Sequence, residues 1–415
     1  MVCQRYSCAL RGAVRISTLV FMIVCTTFLM HAQTYSILHN FTGGADGAEP
    51  TTGLTMDARG DLFGTANAGG RGSCNAGGCG TVFKLSRAGS GWIFTPLYAF
   101  QGGNDAAGPY SRVLFGPDGT LYGSTVGGGV ASCPGGCGTV YRLRPSPTAC
   151  QAALCPWSES VLYRFQGGTD AFYPTGDLAF DSTGAIYGTT YIGGTGGPGT
   201  VWKLTPTGGD WSESIAWNFT GSGSDGGNPY GGVVFDSTGN MYGTSSAASN
   251  SQGAVWELSP SGSEWTEHTL YDFRGGSDGG SPAAGLIFVS GNLYGATETG
   301  PNQAGLAFQL TTSGGGWSFS TISALPPGSG PFGRLVADSA GNLYGATEGG
   351  DSDYGAIFKL THSGNGWTMT VLHRFNGSDG NTPYGSLVID SSGNLYGTTL
   401  MGGSSNEGVV FEITP

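Results

Sequence analysis

The chain has 415 residues, of which 79 are glycine and only 11% are charged, and its formal net charge is −12. This composition suggests a low-complexity chain, but aromatic residues make up 12% and recur in register, which argues against disorder. An acidic surface repels phosphate backbones, so we expect no nucleic-acid partner.

Residues 1–32 have the pattern of a secretory signal peptide. Arg5, Arg11 and Arg15 give a basic start, an apolar stretch follows, and Ala32 suits the last residue before cleavage. The apolar stretch is too short to favour a membrane span, and we expect none in the mature chain. We therefore expect a secreted protein, periplasmic or extracellular, whose mature part has 13 basic and 28 acidic residues and a net charge of −15.

Residues 33–415 consist of seven copies of one repeat, each centred on Leu-Tyr-Gly-Thr or a variant of it. A repeat of roughly 50 residues cannot bury its own apolar face, so we expect one domain instead of the two or three that the length suggests. The central aromatic residues, each followed by glycine, are Phe63, Tyr122, Tyr187, Tyr242, Tyr294, Tyr344 and Tyr396.

Each repeat predicts four short strands and almost no helix. A segment such as 157–165 begins at a Trp and places apolar side chains on one side with period two. A loop of the Gly-Gly-x-Asp-Gly type leads to a short apolar strand such as 176–180. An Asp-Ser-x-Gly turn then leads to the Leu-Tyr-Gly-Thr strand, and a Gly-rich loop leads to a strand such as 199–204.

Four antiparallel strands repeated seven times predict an all-β fold, a seven-bladed β-propeller. The repeat begins with a single strand of the Trp-initiated type, residues 35–41, and ends after the other three. We therefore expect the N-terminal strand to complete the last blade, which would remove two exposed sheet edges. An open solenoid is the alternative, but it would leave both ends uncapped.

Six cysteines follow the predicted signal peptide, and they fall into three close pairs. Their even number and short spacing in an exported chain predict disulfides. A zinc site is the alternative, although no nearby histidine completes one. The pairs lie where the first two repeats are longest, so we expect them to restrain loops. They are Cys74 with Cys79, Cys133 with Cys137, and Cys150 with Cys155.

The glycine that follows each central aromatic residue is unusual inside a strand, where glycine weakens pairing. We expect its cause to be the close approach of neighbouring blades, and we prefer this packing interpretation to a role in ligand binding.

The loop after each outer strand carries a repeated aspartate, and tyrosines lie next to prolines nearby. In a propeller this loop shares one face with the loop between the second and third strands, which contributes Glu298, Glu348, Asp351, Asp353 and Glu407. The candidate ligand-binding residues of the first loop are Asp46, Asp105, Asp170, Asp225, Asp278, Asp379, Tyr110, Tyr173, Tyr230 and Tyr384.

These acidic and aromatic residues allow three interpretations. They suit a sugar, with Asp accepting hydroxyl hydrogen bonds and Tyr supplying a flat apolar contact, or they suit Ca²⁺. Alternatively each Asp caps its own Gly-rich turn. The near-identical copies favour caps, because a catalytic site needs unlike residues in one place. Apart from Ca²⁺ we expect no cofactor.

Histidines argue against an enzyme. His39 and His373 occupy an outer-strand position that holds Tyr or Trp in other repeats, His268 lies on an outer strand, and His362 lies in a hairpin. We expect none of them to reach the acidic loops, so the sequence supports neither a Ser-His-Asp triad nor a histidine base, and we assign no catalytic residue. No glycine-rich segment fits a phosphate-binding loop.

The motifs Leu-Tyr-Gly-Thr-Thr, Gly-Thr-Val-Phe-Lys-Leu and Leu-Tyr-x-Phe-x-Gly-Gly-x-Asp-Gly resemble the GloVer-type tandem repeat of exported bacterial proteins, over essentially all of residues 35–415. The resemblance implies an exported repeat protein without an established activity, often attached to the cell surface by a separate C-terminal anchor. This sequence ends within the last repeat, so we expect no anchor segment.

The favoured function is that of a non-enzymatic exported protein that binds a glycan, a surface polymer or another protein through its loops. The alternative is a carbohydrate-active hydrolase or lyase that uses a pair of the loop carboxylates. A third interpretation is a passive spacer or assembly unit. The sequence does not indicate an oligomeric state.

Overall fold

A computed structural model describes residues 33–415 except 75–76, 146–156, 222–224, 248–251, 302–303, 329, 350–352 and 365. The predicted signal peptide, the Cys150–Cys155 pair and Asp351 lie outside the described residues.

The fold is a seven-bladed β-propeller of four-stranded antiparallel blades, as the sequence predicts. Strands are numbered in chain order and given for each blade from the inner to the outer strand. Blade 1 contains β2 (Thr55–Met56), β3 (Leu62–Ala66), β4 (Thr81–Ala88) and β5 (Gly91–Ala99). Blade 2 contains β6 (Ala106–Pro109), β7 (Leu114–Phe115), β8 (Leu121–Gly128), β9 (Thr139–Arg144) and β10 (Ser158–Arg164), with β6 and β7 both pairing with β8. Blade 3 contains β12 (Ala179–Phe180), β13 (Ile186–Thr190), β15 (Thr200–Thr207) and β16 (Asp210–Asn218), and a separate pair, β11 (Ala171–Phe172) and β14 (Ile192–Gly193), lies in its loops.

Blade 4 contains β17 (Val234–Phe235), β18 (Met241–Ser245), β19 (Ala254–Ser261) and β20 (Glu264–Asp272), followed by a 3-10 turn at Gly276–Asp278. Blade 5 contains β21 (Ile287–Val289), β22 (Asn292–Thr297), β23 (Ala304–Ser313) and β24 (Gly316–Pro327). Blade 6 contains β25 (Val336–Ala337), β26 (Leu343–Thr347), β27 (Ala356–Ser363) and β28 (Gly366–Arg374). Blade 7 contains β29 (Val388–Ile389), β30 (Leu395–Thr399), β31 (Val409–Thr414) and, as its outer strand, β1 (Thr34–Asn40).

The tight turn between the first two strands of a blade follows from its Asp and Gly. In blade 4 the Asp236 carboxylate accepts hydrogen bonds from the backbone N–H groups of Thr238, at 2.8 Å, and Asn240, at 3.0 Å. Gly239 has a φ of 91°, which favours glycine. The Tyr242 hydroxyl donates to the same carboxylate at 3.0 Å, so the turn also holds the central aromatic residue in place.

The glycine after each central aromatic residue lies beneath an aromatic ring of its own blade. A Cβ added to Gly397 would stand 2.6 Å from the ring of Phe411, its direct cross-strand partner. The packing interpretation therefore agrees with the structure, but its expected cause was wrong, because the ring belongs to the same blade and not to a neighbouring one. The seven rings that cover these glycines are Phe83, Tyr141, Trp202, Trp256, Phe308, Phe358 and Phe411.

The hydrophobic core is divided among the blade interfaces. Each of seven buried clusters combines residues of two successive blades. Tyr122 of blade 2, for example, packs with Leu178 and Trp202 of blade 3. The cluster that closes the ring joins Tyr396 of blade 7 to Phe83 of blade 1. In the described part of the chain, the central aromatic residue of each blade is therefore buried together with residues of a neighbouring blade.

The ring is closed by the N-terminal strand, as predicted. β1 pairs antiparallel with β31 from Thr34 opposite Thr414 to Asn40 opposite Val409. The Tyr35 hydroxyl also donates to the backbone oxygen of Asp379 at 2.5 Å. The open-solenoid alternative is thereby excluded.

Two of the three predicted cysteine pairs are disulfides. Cys74 is bonded to Cys79, and Cys133 is bonded to Cys137. Each bridge closes the loop between the second and third strands of its blade, which confirms that these four cysteines restrain the long loops and do not form a zinc site.

Deletion of residues 33–41 should lower the thermal unfolding temperature of the whole protein, because blade 7 loses its outer strand and two interfaces lose packed residues. Addition of a synthetic 33–41 peptide should restore part of the loss, which separates strand pairing from a general effect of truncation. Unchanged unfolding after the deletion would contradict the closure.

The variant Gly397→Ala should be destabilised by about 1–3 kcal/mol, because the new methyl group overlaps the Phe411 ring. Gly316→Ala is the matched control, since a Cβ there meets no atom within 4 Å. Chemical unfolding of both variants measures the difference, and the account fails if the two changes have equal effects.

Candidate binding site on the loop face

One end of the propeller carries two sets of loops, those that enter each inner strand and those between the second and third strands. Backbone bridges join the two sets, for example between Ala48 and Ala68 in blade 1 and between Asn381 and Met401 in blade 7. The predicted sharing of one face is therefore confirmed. We call this end the loop face.

The six predicted aspartates are hydrogen-bonded within their own loops. The Asp105 carboxylate accepts from the backbone N–H of Gln101, at 2.8 Å, and from the Tyr98 hydroxyl, at 3.2 Å. Such bonds hold a turn in its conformation, which is the capping role weighed from the sequence. A ligand role for these residues stays a prediction. The others with equivalent bonds to their loops are Asp46, Asp170, Asp225, Asp278 and Asp379.

Two histidines contact these aspartates, so the expectation that none reaches the acidic loops was wrong. Nε2 of His39 lies 3.1 Å from the carboxylate of Asp46, and Nε2 of His373 lies 3.1 Å from that of Asp379. Burial lowers the pKa of both imidazoles below the usual value, despite the neighbouring carboxylates. The His39 ring is stacked on Phe94 with centroids 3.8 Å apart, which fits a packing role. Three tyrosines occupy the same position opposite their aspartates, namely Tyr98, Tyr163 and Tyr271.

The segment that leads into each inner strand, which we call the inner segment, contains a proline. The residue before this proline links neighbouring blades. The Tyr173 N–H donates to Cys137 of the preceding blade at 3.2 Å, and the Tyr173 carbonyl accepts from Tyr191 of its own blade at 3.1 Å. Tyr173 has a φ of 65°, an unfavourable conformation for a residue with a side chain. Six residues of this type have a positive φ: Glu49, Gly108, Tyr173, Asn228, Ser281 and Thr382.

Three of the four predicted tyrosines meet at the propeller axis. The Tyr230 hydroxyl lies 2.6 Å from that of Tyr110 and 2.5 Å from that of Tyr384. The Phe332 ring is stacked on Tyr384 with centroids 4.6 Å apart. Burial, followed by the neighbouring hydroxyls, raises the pKa of Tyr230 and Tyr384 well above the usual range, so both stay neutral. These four aromatic side chains form what we call the axial plug.

The fourth predicted tyrosine, Tyr173, lies in a groove of about 1110 Å³ between the two disulfide-closed loops. Its side chain is 41% exposed, which is unusual for an aromatic residue of this chain. The groove is also lined by Glu49, Asn67 and Asn104. None of the predicted aspartates lines it. The sequence analysis did not identify Glu49, Asn67 and Asn104 as candidates. The long cysteine-bearing loops of the first two repeats could have indicated this part of the loop face.

Glu298 and Glu348 occupy equivalent positions after the second strands of blades 5 and 6, also on the loop face. Burial raises the pKa of both, and the nearby charge of Glu298 adds to the effect on Glu348, whose pKa rises to about 7. Among the described residues, no three His, Cys, Asp or Glu side chains come close enough together to hold a metal ion. In the same part of the chain, no helix has the length and apolar character needed to cross a membrane.

Several solved structures share the fold at low sequence identity. A fungal alcohol oxidase in complex with copper is 12% identical with a TM-score of 0.56, and the match covers 92% of this chain and 76% of that one. A candidate 6-phosphogluconolactonase from Bacteroides fragilis is 13% identical with a TM-score of 0.50 over 78% of this chain and 83% of that one. At such identities the likeness shows the fold alone.

No curated protein matches the sequence. A family profile does match it, and this match covers residues 76–300 and 244–415 with the description Gloeobacter/Verrucomicrobia repeat. The two matched ranges overlap and together span six of the seven central aromatic residues, from Tyr122 to Tyr396. The chain therefore belongs to the Gloeobacter/Verrucomicrobia repeat family.

Proposed function

We propose that the protein is an exported, non-enzymatic binding protein that holds a glycan in the groove between its two disulfide-closed loops. The observation that carries the proposal is the exposed ring of Tyr173 in a groove that also contains Asn67 and Asn104. An aromatic face packs against the apolar face of a sugar ring. Side-chain amides offer both donors and acceptors to its hydroxyls.

The groove is built on restrained backbone, which favours binding. The Cys74–Cys79 and Cys133–Cys137 bridges hold the two loops that form its walls. The backbone of Tyr173 is fixed at both its N–H and its carbonyl. Because little conformational entropy is left to lose, more of the contact energy is available as affinity.

Export is supported by the disulfides together with the signal-peptide pattern of residues 1–32. Disulfides persist in oxidising compartments such as the periplasm and the cell exterior. Envelope and extracellular polysaccharides are the glycans found in those compartments. The net charge of −15 for residues after the predicted cleavage point favours a neutral or cationic polymer over an acidic one.

The variant Tyr173→Ala should weaken binding to a neutral polysaccharide about tenfold, because the flat contact to the sugar is removed. Tyr173→Phe should retain binding, since it keeps the ring. Retention of purified envelope and plant polysaccharides on the immobilised protein identifies the glycan, and titration calorimetry then compares the variants.

Tyr354→Ala is the matched control, because Tyr354 is also exposed on the loop face, at 46%, but does not line the groove. The proposal fails if no polysaccharide is retained at low or moderate salt, or if both tyrosine variants weaken binding equally. Retention of an envelope protein instead of a polysaccharide would replace the glycan by a protein partner.

A second candidate is a carbohydrate-active hydrolase that uses Glu298 and Glu348. The supporting observation is that Glu348, with a pKa of about 7, is protonated in part at neutral pH beside another carboxyl group. Glycosidases pair a protonated acid with a carboxylate in this way. If this pair is catalytic, Glu348→Gln abolishes glycan hydrolysis. In a binding protein the same change leaves glycan retention intact.

Glu348→Gln should also change how the unfolding temperature of the protein depends on pH. Because the pKa of Glu348 rises from its ordinary 4.5 to about 7 in the fold, ionisation destabilises the native state as the pH rises from 4.5 to 7. Glu348→Gln should therefore unfold at a higher temperature than the parent protein at pH 8 and at a similar temperature at pH 4. Glu264→Gln, at an exposed position, should show no such pH dependence. An equal shift at both pH values would contradict the buried ionisation.

A further inference from the structure

A cluster of charged side chains lies beneath the axial plug. Arg112 and Asp177 come two residues after the position that carries the plug tyrosine or its equivalent in blades 2 and 3, and Arg334 comes two residues after Phe332. Nε of Arg112 lies 3.3 Å from Oδ2 of Asp177, and Nε of Arg334 lies 3.9 Å from the same oxygen. One carboxylate is therefore shared by two guanidinium groups.

The cluster keeps a net positive charge. Burial raises the pKa of Asp177, but the two guanidinium groups outweigh it and hold that pKa below the usual range, so Asp177 is ionised. The charge of Arg112, together with burial, lowers the pKa of Arg334 to about 10, which still leaves it protonated at neutral pH. Two cations and one anion leave an excess of one positive charge.

Two buried donors in this region have no partner among the described residues. Nε of Arg334 is buried and makes no hydrogen bond, and the same is true of Oγ1 of Thr51. Both residues line one small cavity of about 60 Å³, whose walls also include Asp177 and the four side chains of the axial plug. A buried donor that makes no hydrogen bond is costly, so these two groups favour a ligand that accepts hydrogen bonds.

The cavity walls restrict the size of such a ligand. Besides the charged and aromatic side chains, they consist of residues such as Gly232 and Gly285, which leave the space open. Neighbouring inner segments are in contact here, since a Cβ on Gly232 would stand 2.1 Å from the backbone oxygen of Asp177. A cavity of this volume holds a few water-sized groups and no large molecule.

We propose that this cavity is a binding site for a small monovalent anion of about the size of a halide ion. The ion balances the excess charge of the Arg112, Asp177 and Arg334 cluster and accepts hydrogen bonds from Arg334 and Thr51. A cation is repelled by the two guanidinium groups. A multiply charged phosphate carries more charge than the cluster balances and is too large for the cavity. The anion joins the inner segments of blades 1, 2, 3 and 6 at the axis, independently of any ligand in the groove.

Thermal unfolding tests the site, because an anion that binds only the folded protein raises its unfolding temperature with a saturable dependence on concentration. The probe is sodium chloride, exchanged against sodium gluconate at constant ionic strength and pH. The parent protein should unfold at a higher temperature in chloride, and Arg334→Gln and Thr51→Val should each lose most of this difference. Arg59→Gln, whose side chain is 73% exposed, should retain it.

Crystals of the parent protein soaked in bromide give a second readout that does not depend on the stability of a variant. An anomalous peak in the axial cavity beside Arg334 is expected. The proposal is overturned if the cavity contains only water in bromide, or if chloride acts equally on the parent protein and on Arg334→Gln, which would indicate a general effect of anions on the surface.

Discussion

The structure depends on burial of aromatic side chains between blades. Each repeat contributes a central aromatic residue such as Tyr122 that packs against the next blade, where Leu178 and Trp202 lie in the same buried cluster. Apolar burial is the largest favourable contribution to folding, and here it is available only between neighbours. The ring is complete only when the interface between blades 7 and 1 is also formed. Because β1 contributes to this interface, its pairing is needed for the stability of the whole ring.

The same constraint explains the glycines of the second strands. A large ring on the third strand has to lie flat across the blade to leave room for the side chains of the next one. Gly397 provides that space beneath Phe411, because a Cβ there would be 2.6 Å from the ring. The repeat thus keeps glycine and ring together as a pair. Because this pair occupies the second and third strands of every blade, the repeats differ mainly in their loops and in the inner segments at the axis.

The blade number, the closure and two disulfides could be predicted from the sequence, because they depend on period, phase and local spacing. The positions of the tyrosines could not, although one sequence difference mattered. Tyr110, Tyr230 and Tyr384 follow a proline and converge on the axis, whereas Tyr173 precedes one and is exposed in the groove. Whether a ring reaches the axis or the groove depends on how the loops of neighbouring blades meet around it, which only the assembled ring of blades determines. The contacts of His39 and His373 with aspartates were missed for the same reason, since strand and loop meet only after the blade has folded.

The central functional claim is that a glycan binds in the groove between the disulfide-closed loops of blades 1 and 2. Hydrogen–deuterium exchange of the full chain, with and without a retained polysaccharide, tests it most directly, because it reports on every loop at once. The account predicts slower exchange in the loops around Cys74 and Cys133 and around Tyr173, with the other blades unchanged. Protection at Glu298 and Glu348, on the opposite side of the axis, or at no part of the loop face, would contradict it.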